Sequence, residues 1–328
     1  MKFRIFKLTF HTPLHLSRGK VSSYESSDTV LHSDKLKAAL YATALRLFGK
    51  SDKEEELSVA DQILYHLRLS SAFPFDKNGC WLPKPLSFQP KIENPADRKK
   101  YKEVKYLTIK QFSDLQKGTQ PTNLLSLEQP SIWKREVTQR VKVGYEEDSE
   151  PFYLEKLYAH PHAGLYFIAQ AEGEFGWDKF EMTLNLLGED GIGLQRGLGN
   201  GHFTAQEDSV ELEEIENPTA WMALSLYHPT EEAEVKPILE KSYYQFIKRG
   251  GWISSPENET HLSLRKKSVL MFTEGSVFGF KEAKQDFLVK GKIEDLAPAN
   301  ELLPADKAKL THPIWRDGRA IFLPLILI

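Results

Sequence analysis

The chain has 328 residues, 41% of them hydrophobic and 27% charged, with a formal net charge of −3. This length suits two domains of ordinary size, and this apolar content excludes a largely disordered chain. The net negative charge excludes a particle that coats nucleic acid by bulk charge, so any RNA contact has to come from local patches.

Lys2–Phe10 reads as a strand, with Phe3 and Ile5 on one face and Phe6, Leu8 and Phe10 on the other. Either both faces are covered or a bulge lies between them. The charge scattered through Lys2–Lys7 is unlike a signal peptide. His11–Thr29 is a polar loop carrying His15, Arg18 and Lys20. Ser33 or Asp34 can cap a helix running to about Phe48, with Leu36, Leu40, Ala44 and Leu47 as its stripe and Gly49 at its end. Asp61–Leu69 predicts a shorter helix. Ser70–Pro90 is a strand-and-turn region. It holds the only cysteine, Cys80, which can form neither an internal disulfide nor a thiolate zinc site and fits a reducing, cytoplasmic setting. Lys84 is framed by Pro83 and Pro85, which stiffen its backbone.

Glu93–Lys105 is highly charged, and Arg98-Lys99-Lys100 reads as a solvated helix surface. Gln116–Pro130 is polar and irregular. Lys134–Val143 alternates: Val137, Gln139, Val141 and Val143 point one way, and Lys134, Thr138, Arg140 and Lys142 the other. This predicts a β-arm with one basic face, paired with Pro151–Tyr158 across the acidic turn Glu146–Glu150. Gly164–Ala171 is a strand. Trp177–Leu187 is an amphipathic helix ended by Gly188. A glycine-rich loop at 190–202 and a short strand at His202–Ala205 follow.

The order so far is β-α-β-β-α-β with a long insertion at about 90–150, which is the ferredoxin-like (RRM-like) pattern. The acidic segment Glu207–Glu216, ending in Asn217-Pro218, marks a boundary between domains at 1–206 and 217–328. Beyond it come a strand (Ala220–His228), a helix (Val235–Lys248), the turn Arg249-Gly250-Gly251 and several strands. The apolar tail Ala320–Ile328 is too short to span a membrane and reads as a buried last strand. The fold class is therefore α+β: two ferredoxin-like domains, the second degenerate, with a β-arm insertion and a glycine-rich loop.

Five of the eleven residues from Gly191 to Gly201 are glycine, against an average of about 7%. Such density implies backbone with φ > 0, or a ligand that must approach the main chain. Freed N–H groups can bind phosphate oxygens, and Arg196 can add a charge-assisted contact. A dinucleotide fingerprint needs strand, loop, then helix, whereas here a helix precedes and a strand follows. A P-loop needs Gly-Lys-Ser/Thr, and no lysine is present. A flexible surface connection is the plain alternative. No metal or cofactor is expected.

Several ordered segments carry a resemblance. They are His11-Thr12-Pro13-Leu14-His15, Leu31-His32-Ser33-Asp34-Lys35-Leu36, Ser70-Ser71-Ala72-Phe73-Pro74-Phe75, Leu82-Pro83-Lys84-Pro85-Leu86, Gly164-Leu165-Tyr166-Phe167 and Asp190-Gly191-Ile192-Gly193. Three more follow: Arg249-Gly250-Gly251-Trp252-Ile253-Ser254-Ser255, Glu274-Gly275-Ser276-Val277-Phe278 and His312-Pro313-Ile314-Trp315. With these the chain resembles the RAMP superfamily of CRISPR proteins, more narrowly the fourth-subunit family of type III-A Csm complexes. The resemblance implies two ferredoxin-like domains and a thumb at about 131–150. It implies a non-catalytic subunit that grips the repeat-derived 5′ tag of the crRNA. It also implies contacts with the large polymerase-like Csm subunit and a backbone Csm RAMP subunit, and no membrane. The family loop usually ends Gly-x-Gly-Arg-Phe; here His202 stands in place of the arginine.

The expected RNA-contact set is His15, Arg18, Lys20, Ser33, Lys35, Lys84, Arg140, Lys142, Gly191, Gly193, Gln195, Arg196, Gly197, Gly199, Asn200, Gly201, His202 and Arg249. His11, His15 and His32 could instead serve a metal-independent endoribonuclease that matures crRNA, although no partner base is readable at their spacing. A purely architectural subunit is a third reading. Capping explains Asp34 better than catalysis, Asp28 stays open, and Trp252 and Phe280 read as core rather than as base-stacking platforms.

Overall fold

The computed structural model describes residues 1–17, 25–50, 56–90, 92, 94–121, 124–125, 128–142, 150–240, 242–253, 264–280, 287–298 and 314–327. In the N-terminal part the order is β1 (Lys2–Phe10), α1 (Ser33–Phe48), α2 (Val59–Tyr65), β2 (Leu67–Leu69), β3 (Phe73–Asp76), β4 (Gly79–Pro83), α3 (Arg98–Glu103), β5 (Tyr106–Thr108) and α4 (Ile109–Gln116). Next come β6 (Trp133–Lys142), β7 (Glu150–Ala159), β8 (Gly164–Ala171), α5 (Trp177–Asp190) and β9 (Phe203–Glu211). One antiparallel sheet runs β5-β4-β3-β8-β1-β9, with β2 also on β8.

The two-faced pattern of β1 has a direct cause. Phe6, Leu8 and Phe10 enter the core beneath α1 and α5. Phe3 and Ile5 enter a second core on the opposite face. The register with β9 is continuous from Lys2↔Glu211 to Phe10↔Phe203, so there is no bulge.

The remaining elements are β10 (Ala220–Ala223), α6 (Glu232–Leu239), β11 (Phe246–Arg249), β12 (Val269–Phe272), β13 (Val277–Phe278), β14 (Leu288–Lys290), β15 (Ile293–Asp295), β16 (Trp315–Asp317) and β17 (Ala320–Leu325). A four-stranded sheet runs β13-β10-β17-β14. Its Met222, Leu224, Ile321 and Leu323 pack against Phe3, Ile5, Tyr166 and Ile168 of the first sheet. The two sheets thus lie face to face over one shared apolar layer, and removing that area from water is what holds the halves together. Every residue of β17 is buried, as the apolar tail predicts.

Several boundaries differ from the sequence reading. The helix expected at Asp61–Leu69 stops at Tyr65, capped by the Ser58 hydroxyl; Leu67–Leu69 instead extends onto β8. Helix α4 was not expected, although its capping box, Thr108 with Gln111, is present in the sequence. Helix α5 passes Gly188 and ends at Gly191. A Cβ on Gly188 would lie 2.3 Å from the Phe203 carbonyl oxygen, so this glycine serves helix–strand contact and not helix termination. The acidic segment read as a boundary is largely strand: β9 runs to Glu211, and Glu207 and Asp208 pair across to Arg4 and Lys7 of β1 at 2.9 and 2.6 Å. The helix expected over Val235–Lys248 is split into α6 and the aromatic strand β11.

Candidate nucleic-acid interface

Three of the loop glycines are required by the protein itself. Gly191, Gly193 and Gly201 have φ of +78°, +95° and +78°. A Cβ on them would lie 2.4 Å from the Asn200 carbonyl oxygen, 2.5 Å from that of His15 and 1.9 Å from that of Ile192. The Ile192 N–H donates to Gly201 O at 3.0 Å, Leu194 N–H to His15 O at 2.9 Å and Gly201 N–H to Pro13 O at 2.8 Å. The His202 N–H donates to the Thr12 hydroxyl at 2.8 Å. The loop is therefore a pinned structure clasped to the His11–Ser17 segment, not a slack connection.

Its tip is different. Gln195 and Gly199 take left-handed backbone on either side of a single 3₁₀ turn, Arg196–Leu198. A Cβ on Gly197 would meet nothing within 4 Å, and its φ is not positive. The described residues give no steric reason for glycine there. The amides of Gly193, Gln195, Arg196 and Gly197 have no acceptor among the described residues. Arg196, Gly197 and Leu198 are exposed, Leu198 at 71%. Unpaired donors at an exposed, side-chain-poor turn have the chemistry to accept an anion. They border an open groove of about 680 Å³ shared with Arg46, Glu189, Asp190 and His202. The Asn200 amide is turned inward to Gln195 Oε1 at 3.3 Å.

The arm is joined to this loop through the same segment. Leu14 and Leu157 exchange both backbone hydrogen bonds at 2.8 Å. The imidazole Nδ1 of His15 is 2.7 Å from Glu155 O, and the ring is buried. β6 pairs with β7 from Trp133↔Ala159 to Lys142↔Glu150, the two segments expected to pair. Lys134 and Arg140 stand exposed on one face, and Lys156 shares that face by register. The opposite face exposes Val137, Val141 and Tyr153. The side chain of Lys142, the turn at 146–149, Arg18 and Lys20 lie outside the described residues.

Lys35 is brought to the loop by α1. Its ammonium donates to Ser17 O, and it lines a groove of about 340 Å³ with Leu194 and Arg196. Burial lowers its pKa to about 8. Three other expected contacts are held elsewhere. The Ser33 hydroxyl is buried and accepts from Leu226 N–H at 3.1 Å. The half-buried Lys84 ammonium donates to Tyr101 O at 3.3 Å, away from the loop. Arg249 is buried and grips Asp34 with two hydrogen bonds, Nε to Oδ2 at 2.8 Å and Nη2 to Oδ1 at 2.9 Å.

That last pair belongs to a network which the sequence reading missed. Asp34 was expected as a cap, but the cap position is His32, and Asp34 faces the C-terminal half with no exposure. Arg316 Nε lies 3.4 Å from the same carboxylate. Burial would raise the Asp34 pKa, and the two guanidiniums more than offset this, holding it well below the usual range. One turn along, buried Lys37 donates to Asp317 at 2.5 Å. The signal was available: Lys37 lies in helical phase with Leu40 and Ala44, on the apolar stripe.

His32 completes the network. Its Nδ1 is 2.8 Å from Glu274 Oε1 and its Nε2 3.4 Å from Asp28 Oδ2. Burial alone favours the neutral ring, but the Glu274 and Asp28 carboxylates prevail and lift its pKa to about 9. A raised folded-state pKa stabilises fully below the unfolded value of 6.5 and loses that contribution as pH rises through about 9. Lys35 and Lys37, lowered to about 8 by burial, act in the opposite sense. Comparing the protein with its His32→Gln variant isolates the histidine. The stability gap between them should shrink by about 3 kcal/mol from pH ~6 to pH ~10. A gap that stays constant in denaturant titrations across that range would contradict the assignment.

Known proteins share sequence and fold with this chain. Residues 216–325 match the family model described as the CRISPR Csm4 C-terminal domain. A curated relative from Methanocaldococcus jannaschii, named CRISPR system Cms protein Csm4, is 26% identical, with 99% of this chain and 97% of the relative covered. A second of the same name, from Thermococcus onnurineus, is 25% identical over 75% of this chain and 80% of its own length. Among solved structures, a chain of the Csm3-Csm4 subcomplex of the type III-A interference complex superposes with a TM-score of 0.63. It is 19% identical, with 99% of this chain and 100% of that one covered. A chain of the Csm1-Csm4 cassette in complex with cA4 gives 0.60 at 20% identity, covering 100% and 99%. The fold is thus that of the chains superposed from the Csm3-Csm4 and Csm1-Csm4 assemblies. Residues 216–325 thus match the Csm4 C-terminal domain, and the chain is similar to the curated Csm4 proteins over most of its length.

Proposed function

We infer that this chain holds crRNA within a type III-A Csm complex. It seats the repeat-derived 5′ tag against the glycine loop and the basic face of the arm. The observation that carries this is the set of unpaired amides at Gly193, Gln195, Arg196 and Gly197, beside the exposed Arg196. Phosphate oxygens satisfy such donors, and the glycine at 197 lets a ribose-phosphate strand approach them. Leu198 offers an apolar face for a base or ribose.

The solved relatives in Csm1-Csm4 and Csm3-Csm4 assemblies support a bridging place between a large subunit and a backbone subunit. The strand order β9-β1-β8-β2, with α1 and α5 over one face, supports reading the N-terminal part as ferredoxin-like. The fit of β17-β10-β13 to the same order supports a second, degenerate copy. Among the described residues no helix is long and apolar enough to cross a membrane.

Binding rather than cleavage is supported by the three histidines. His32 is engaged by carboxylates at both nitrogens, His15 is buried against Glu155 O, and His11 Nε2 lies 3.0 Å from the Thr204 hydroxyl. They do not converge on one substrate position. Incubation with repeat RNA in EDTA separates the readings, since cleavage that depends on these histidines would favour the endoribonuclease.

Gly197→Val tests the binding claim. The variant should keep the parent melting temperature, because among the described residues nothing lies within 4 Å of the added Cβ. It should weaken binding of tag RNA by about tenfold, roughly the loss of one or two charge-assisted contacts. Unchanged affinity in fluorescence anisotropy would overturn the placement of RNA on this tip.

A further inference from the structure

The C-terminal half carries a second surface with the chemistry of a single-strand contact. From Ser242 to Ile253 and from Leu264 to Met271 the described residues include Lys248, Arg249, Arg265, Lys266 and Lys267 and no acid. In a chain of net charge −3 this is a strong local bias. Arg249 is taken by Asp34. The other four cations have no ion-pair partner among the described residues. Beside them Trp252 is 43% exposed, where the sequence reading had placed it in the core. The Arg265 guanidinium lies 4.6 Å from the indole centroid, across the bridge Trp252↔Arg265. On the β11–β12 ribbon, Ile247 and Met271 pack inward, while Phe246, Lys248 and Leu270 stand exposed.

Helix α1 links this surface to the glycine loop. Arg249, at the end of β11, is bonded to Asp34 in the first turn of α1. The next residue, Lys35, shares a groove with Leu194 and Arg196.

We propose that the Lys248–Trp252 and Arg265–Lys267 segments are a second RNA-contact surface, on which an unpaired base stacks on Trp252 while Lys248, Arg265 and Lys267 meet its phosphates. The proposal rests on the function inferred above. Indole stacking tolerates any base, because each presents a π-face, and a guanidinium on the ring adds a cation–π contribution. An acidic protein partner is the competing occupant. An exposed indole set among cations, with no acid among the described residues of the two segments, favours RNA.

The test uses the full chain and fluorescently labelled single-stranded tag RNA, read by anisotropy at several salt concentrations. Trp252→Ala should raise Kd about tenfold, in line with base–aromatic stacking. Trp252→Phe should raise it less than about threefold, because a stacking ring remains. Lys248→Glu with Lys267→Glu should weaken binding and flatten its salt dependence. Melting temperatures should match the parent. If Trp252→Ala binds as the parent does while Gly197→Val is weakened, this surface is overturned and the glycine-loop reading stands. If neither variant is weakened, both fall. Two further outcomes would also overturn the proposal. One is equal weakening by Ala and Phe with a lowered melting temperature, which makes Trp252 structural. The other is intact RNA binding with lost entry into the assembled complex, which makes this a protein surface.

Discussion

Replacing Asp34 by alanine is expected to cost about 3–5 kcal/mol of folding stability, the range for removing one member of a buried charged set. The carboxylate has no exposure and answers two guanidiniums, Arg249 through two hydrogen bonds and Arg316 at 3.4 Å. Without it, two cations with 6% and 12% side-chain exposure would face each other in a site that water hardly reaches. The effect should extend beyond stability, because this contact fixes the start of α1 against the ribbon and so sets where Lys35 meets the glycine loop. The comparison is Glu207→Ala, which removes an exposed partner of Arg4 and should cost at most about 1 kcal/mol. Denaturant unfolding of both variants checks the contrast. A loss below about 1 kcal/mol for Asp34→Ala would mean that the pair is not buried as described.

The second large effect is expected at Gly201. Its φ of +78° already disfavours any L side chain, and a Cβ would lie 1.9 Å from the Ile192 carbonyl oxygen. That oxygen belongs to the main chain, so no rotamer change relieves the clash. Gly201→Ala should cost about 2–4 kcal/mol, combining backbone strain with overpacking. It should also release the hydrogen bonds of Gly201 with Pro13 and Ile192. Gly197→Ala, in the same loop, should be close to neutral for stability. Thermal unfolding of the pair distinguishes glycines that the fold requires from a glycine that only a ligand requires. Equal effects at both positions would contradict that division.

This division marks where reading the sequence stops. Five glycines in eleven residues announce a special backbone, but they do not say which ones face inward. Gly191, Gly193 and Gly201 are explained by contacts with Asn200, His15 and Ile192. Two of these contacts lie within the loop, and the third lies with a segment about 180 residues earlier in the chain. Strands with alternating burial were legible. β1 is covered on both faces, and its two apolar sets are visible directly; β8 and the β6–β7 ribbon follow from continuous or alternating patterns. Partners distant in sequence were not legible. The acidic residues of β9 looked like a solvated linker because Arg4 and Lys7, which neutralise them, lie about 200 residues away.

Two misses did have local signals. The Thr108–Gln111 capping box announced α4, and the aromatic run Tyr243-Tyr244-Gln245-Phe246-Ile247 favoured a strand over the helix expected there. The buried charges of α1 were the least visible. Asp34 at a helix start reads naturally as a cap, and Arg249 beside two glycines reads naturally as an RNA contact. Only the fold shows that each is the other's partner.

Amide hydrogen exchange, resolved by residue on the full chain with and without tag RNA, tests the central claim most directly. Leu194 and Gly201, already bonded to His15 and Pro13, should exchange slowly in both states. The amides of Gly193, Gln195, Arg196 and Gly197 should exchange fast in the free chain and become strongly protected once RNA is bound. If these four stay as fast in the saturated complex as in the free protein, the RNA does not lie on the glycine loop and the functional reading fails.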